Sequence, residues 1–91
     1  MYPLTDDSLN NLIQTLEQIF DTRDKAYMFL RMEFPKILPK IHLECSQHER
    51  AWNIYNEFEK YQMIGSLMAT INGRFDTDLL LEMKYPYQTN K

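Results

Sequence analysis

The chain has 91 residues, room for one compact core and no second. Hydrophobic residues make up 44% and aromatics 13%, enough apolar surface to offset chain entropy and so to exclude an intrinsically disordered chain. Only Gly 2 and Pro 4, with apolar residues at helical spacing, disfavour a sandwich, a barrel or a glycine-rich phosphate loop, and a formal net charge of −3 is the wrong sign for a polyphosphate partner.

Leu9, Leu12, Ile13, Leu16, Ile19 and Phe20 recur at steps of three and four, which predicts an amphipathic first helix. Thr5 is its expected N-cap, with Asp6 and Asp7 in the first turn, where the helix dipole favours negative charge. A second helix is expected to start at Asp21, with Asp24 at N3 and Ala26, Tyr27, Phe29, Leu30 and Phe34 as its apolar members, and to stop at Pro35. Pro39 interrupts Ile37, Leu38, Ile41 and Leu43, so a single short third turn is expected there. Ser46 and Glu49 have capping-box spacing and predict a fourth helix, whose buried stripe is Ala51, Trp52, Ile54, Tyr55 and Phe58. Tyr61-Gln62 reads as a tight link into a fifth helix through Met63, Ile64, Leu67, Met68 and Ile71, closed by Asn72-Gly73 with a left-handed residue. Asp76 is expected to cap a short sixth helix carrying Leu79, Leu80 and Met83. The expected domain is 1–84, with 85–91 as a tail or the start of a linker.

No charge-free stretch reaches the roughly 18 residues of a membrane span, and Met1-Tyr2-Pro3-Leu4 lacks the parts of a signal peptide, so a cytoplasmic protein without membrane contact is expected. Cys45 is the only cysteine, which rules out an internal disulfide or a thiolate zinc site. His42 and His48 are six residues apart and lack the i, i+4 spacing of a metal pair; they read as solvated or locally bonded. Cys45 and His48 stand at i, i+3 and could form a thiolate couple, but a small residue ahead of the Ser46 cap is the better reading. Asp76 and Asp78 lack the glycine and glutamate of a calcium loop. Neither catalysis, metal, cofactor nor small-molecule substrate is expected.

Charge is arranged in blocks. Residues 1–21 carry Asp6, Asp7, Glu17 and Asp21, a formal −4, and residues 22–43 carry Arg23, Lys25, Arg31, Lys36 and Lys40 against Asp24 and Glu33, a formal +3. Residues 44–59 return to −3 through Glu44, Glu49, Glu57 and Glu59 against Arg50, and residues 60–91 carry +1. One basic segment between acidic ones can place opposite patches on different faces of a bundle, and contact between such patches propagates head to tail. Arg23, Lys25, Arg31 and Lys36 are therefore candidates for one partner-binding face, and Asp6, Asp7, Glu57 and Glu59 for its complement. The same residues also fit an ordinary mixed, solvated surface.

The runs Leu16-Glu17-Gln18-Ile19-Phe20-Asp21-Thr22-Arg23-Asp24-Lys25-Ala26, Phe29-Leu30-Arg31, Trp52 to Tyr61 and Ile64-Gly65-Ser66-Leu67-Met68-Ala69-Thr70-Ile71-Asn72 resemble the effector-associated domains of bacterial conflict systems, first type, over about residues 4–82. These are similar to the death-fold superfamily. The resemblance implies an all-α, six-helix antiparallel bundle with a short Pro-broken third helix. It also implies a non-enzymatic adaptor that recruits effectors to sensors in bacterial immunity or programmed cell death. The implied partner is a like domain on a STAND NTPase, peptidase or other effector, or a second copy. Gln62, where many members carry a small residue, and Arg74-Phe75-Asp76, where a proline-asparagine turn is frequent, are departures at turns. An alternative reading is a free-standing regulatory bundle that takes a partner helix in a Met-lined groove, with Met28 and Met32 exposed beside an apolar furrow. A small enzyme is the more distant rival and requires a pocket with convergent titratable groups.

Overall fold

Thr5 opens the first helix, α1 (Asp6–Ile19), by accepting a hydrogen bond from the Ser8 amide at 3.1 Å. The computed structural model describes residues 4–79. Leu12, Ile13 and Leu16 bury one face of α1, and Phe20 closes it, its backbone amide donating a hydrogen bond to the Leu16 carbonyl at 3.0 Å.

The second helix, α2 (Arg23–Glu33), begins one residue later than its acid spacing predicts. Thr22 is the N-cap and accepts from the Lys25 amide at 3.2 Å, while Asp21 instead pairs with the Lys25 ammonium at 3.0 Å. Ala26, Phe29 and Leu30 face the core, and the helix ends at Phe34 because Pro35 disfavours helical backbone in the residue before it. The Pro-broken third element is a 3-10 turn, Leu38–Lys40, with Pro39 in a position where its missing amide costs nothing.

Both halves of the expected capping box open the third helix, α3 (Gln47–Lys60). The Glu49 amide donates to Ser46 Oγ at 3.2 Å and the Ser46 amide to Glu49 Oε1 at 3.4 Å. Its inward line is Arg50, Ala51, Ile54 and Phe58. Trp52 and Tyr55, expected in the buried stripe, are half-buried at its edge: each sits about 100° around the helix from an inward neighbour, where a ring covers the core without entering it. The two rings meet edge to face at 5.8 Å. The link into the fourth helix, α4 (Ile64–Arg74), is a Schellman closure. The Met63 amide donates to Phe58 O at 2.7 Å and the Gln62 amide to Glu59 O at 3.0 Å, with Gln62 left-handed at φ 57°.

Asn72-Gly73 does not end α4. Gly73 stays helical and Phe75 is the C-cap. The Asn72 amide group is committed elsewhere: its Nδ2 donates to Leu79 O at 2.8 Å, and its Oδ1 accepts from the Leu79 amide at 2.9 Å and from Thr77 Oγ1 at 2.7 Å. That two-way clasp holds residues 76–79 as non-helical backbone, so Asp76 caps no helix within them. Leu80 and Met83, expected in the sixth helix, and the 85–91 tail lie outside the described residues. Among the described residues the fold is therefore all-helical with four α-helices and one 3-10 turn rather than six helices.

The core is threaded by aromatic rings. Phe20 meets Phe29 at 5.0 Å, Phe29 meets Phe34 at 6.1 Å and Phe34 meets Phe58 edge to face at 4.8 Å, so the end of α1, α2 and α3 share one cluster. Phe75 closes on it, 6.1 Å from Phe20 and 5.9 Å from Phe29. Arg50 is buried at 6% exposure beside this cluster and donates to the carbonyls of Phe20 at 3.0 Å, Leu43 at 3.1 Å and Cys45 at 2.8 Å. Its charge is solvated by peptide dipoles, one of them at the negative end of α1. No described helix is long and apolar enough to cross a membrane.

Candidate interaction surface

Helix α2 presents Asp24, Lys25, Met28, Arg31 and Met32 outward because Ala26, Phe29 and Leu30 occupy its inward stripe. Met28 is 52% and Met32 61% exposed, as their positions off the main stripe predict. The basic residues of this segment fall into two groups. Arg23 contacts Asp24 at 3.1 Å and Glu44 at 3.4 Å and lies 4.9 Å over the Tyr27 ring, while Lys25 bonds Asp21. Lys25 also holds the Asp21 carboxyl below its ordinary range, chiefly through that hydrogen bond. Arg31 and Lys36 make no ion pair with any described residue. Half of the predicted basic face is thus already neutralised within the molecule.

The expected acidic complement is also divided. Asp6 and Asp7 are exposed at the start of α1, and Glu59 is exposed on α3. Glu57 is half-buried: its Oε2 lies 3.8 Å from Lys60 Nζ, and its Oε1 is enclosed without a hydrogen-bond partner. Burial, and then the nearby Glu59 charge, raise the Tyr55 phenol above its ordinary range.

Two surface hollows adjoin these residues. Met28 and Met32 line an open furrow of about 340 Å³ with Ile19, Phe29 and Phe75. Arg74 stands at its edge, bonded to Glu33 at 2.5 Å and 5.8 Å over the Phe29 ring. A second hollow follows α2 and is edged by Lys36, Lys40 and Tyr61. Lys40 and Tyr61 have no sequence signature that singles them out, because they are 21 positions apart and meet only through the fold.

His48 and Cys45 make local contacts, while His42 is exposed. His48 Nδ1 contacts Glu17 Oε2 at 2.5 Å, and the neighbouring Gln47 Nε2 donates to Glu17 O at 2.5 Å, which joins the start of α3 to the end of α1. Cys45 Sγ bonds the His42 carbonyl at 3.6 Å and accepts from Asn53 Nδ2 at 3.6 Å. Cys45 thus packs its thiol against the backbone ahead of the Ser46 cap. Among the described residues no three His, Cys, Asp or Glu side chains are grouped to hold a metal ion.

No protein-family model, no curated protein and no solved structure matches this chain.

Proposed function

We propose that this domain is a non-enzymatic adaptor that recruits an effector to a sensor through contact with a like domain, in bacterial immunity or programmed cell death. The observation that supports this reading is the set of exposed charges, Arg31 and Lys36 on one side and Asp6, Asp7 and Glu59 on the other, that make no ion pair with any described residue. Arg31 and Lys36 supply the basic side of the contact, and Asp6, Asp7 and Glu59 remain available for the acidic side, with Glu57 a weaker member because it is half-buried.

A second reading has an observation of its own. The Met28 and Met32 furrow, with Ile19, Phe29 and Phe75 as its lining, suits the apolar face of a partner helix. Two variants separate the readings by light scattering and by capture of candidate partner domains. Arg23→Glu with Arg31→Glu should abolish charge-driven association while helicity is kept, and an acid-to-lysine change at Asp6 and Asp7 should restore it in part. Met28→Ser with Met32→Ser should abolish groove binding alone. Association of the double charge reversal at wild-type strength in physiological salt would exclude the charge-paired adaptor contact.

A further inference from the structure

Beyond the end of α2, Phe34, Ile37, Tyr61 and Met63 line an open, mainly apolar pocket of about 610 Å³. Lys36 and Lys40 stand at its margin and make no ion pair with any described residue. The one carboxylate on the margin, Glu33, is taken by Arg74 at 2.5 Å. Tyr61 is 44% exposed, and its ring is approached by Lys40 Nζ at 6.0 Å and by Lys60 Nζ at 5.9 Å, the outer range of a cation–π contact. An exposed aromatic ring on an apolar floor, edged by two uncompensated ammonium groups, asks for a ligand with the opposite pattern.

We propose that this pocket binds an acidic linear segment of a partner protein. One bulky apolar side chain of that segment covers Tyr61, Phe34 and Ile37, and carboxylates flanking it meet Lys36 and Lys40. A second copy of the chain fits less well, because among the described residues its other large exposed apolar side chains, Met28 and Met32, share the face of α2 with Lys25 and Arg31 and would bring like charge to Lys36 and Lys40. Nucleic acid fits less well, because the chain carries net charge −3 and the pocket floor is apolar. The pocket uses none of Met28, Arg31 and Met32 and shares only Lys36 with the contact proposed above, so Arg31→Glu tests that contact and Lys40→Glu tests this pocket.

The test is fluorescence anisotropy of the full chain with a labelled synthetic peptide in which glutamates flank one leucine. Comparison peptides carry lysine for each glutamate or serine for the leucine. Saturable binding of the acidic leucine peptide is expected, weakening with salt. Lys36→Glu with Lys40→Glu should lower affinity about tenfold, as should Tyr61→Ser, with circular dichroism unchanged. The lysine peptide should gain on the charge-reversed variant, and Met28→Ser with Met32→Ser should bind the acidic peptide as wild type does. The proposal is overturned if no peptide binds saturably up to millimolar concentration, or if the lysine peptide binds the wild-type chain equally well. It is also overturned if the charge-reversed variant binds the acidic peptide undiminished. A single-stranded oligonucleotide that binds at the same lysines more tightly than the peptide overturns it as well.

Discussion

Arg50 joins three chain segments that have little else in common. Its guanidinium reaches the carbonyls of Phe20, Leu43 and Cys45 at once, and its planar fork of donors is what makes three simultaneous bonds possible. A lysine carries the same charge on a single nitrogen and cannot span those carbonyls. Arg50→Lys is therefore expected to lower stability by about 2–4 kcal/mol in urea denaturation. Gln62 has the opposite sign. It occupies the left-handed position of a Schellman closure, which costs an L-residue roughly 1–2 kcal/mol relative to right-handed backbone and costs glycine almost nothing. Gln62→Gly should raise stability by up to about 1 kcal/mol, read as a higher denaturant midpoint with unchanged slope.

Element boundaries follow the caps wherever a local side chain has one available backbone partner, as at Thr5 and at the Ser46–Glu49 box. They shift where two candidates compete. Asp21 and Thr22 could each cap α2; Lys25 draws the Asp21 carboxylate aside and leaves the cap to Thr22. Asn72 could close α4 in left-handed backbone, but its amide makes three bonds to Thr77 and Leu79 that a closing residue at that point would forfeit. Asn72→Ala should free residues 75–79, seen as faster amide exchange at Leu79, with a stability loss of about 1–3 kcal/mol. Exchange at Leu79 as slow as in wild type would show that the buried Leu79 side chain alone holds the segment.

The molecule is held together by one apolar cluster in which Phe58 is fully buried and Trp52 only half so. Phe58→Ala is expected to cost about 3–5 kcal/mol, a large part of the stability of a domain this small. Trp52→Ala should cost clearly less, since its ring keeps one side in water in the folded state. Equal losses in thermal melts would place Trp52 inside the core. The surface divides in a parallel way: Arg23 and Lys25 pair with neighbours within the molecule, while Arg31, Lys36 and Lys40 make no ion pair with any described residue.

The helical class, the burial of Leu12, Leu16, Ile54 and Phe58, the two clean N-caps, the tight link at Gln62 and the exposure of Met28 and Met32 were all readable along the chain. Each depends on residues within one helical turn of one another, so spacing alone carries the information. The depth of Trp52, the continuation of α4 through Gly73, the neutralised state of Arg23 and the meeting of Lys40 with Tyr61 were not. Those depend on groups more than one helical turn apart, from Thr77 and Leu79 beside Asn72 to Glu44 and Tyr61 on distant segments, and a side chain acquires such a partner only when folding brings the two together. Arg50 marks the boundary between the two: its place on α3 follows from periodicity, but its burial follows from three carbonyls that the folded chain turns towards it.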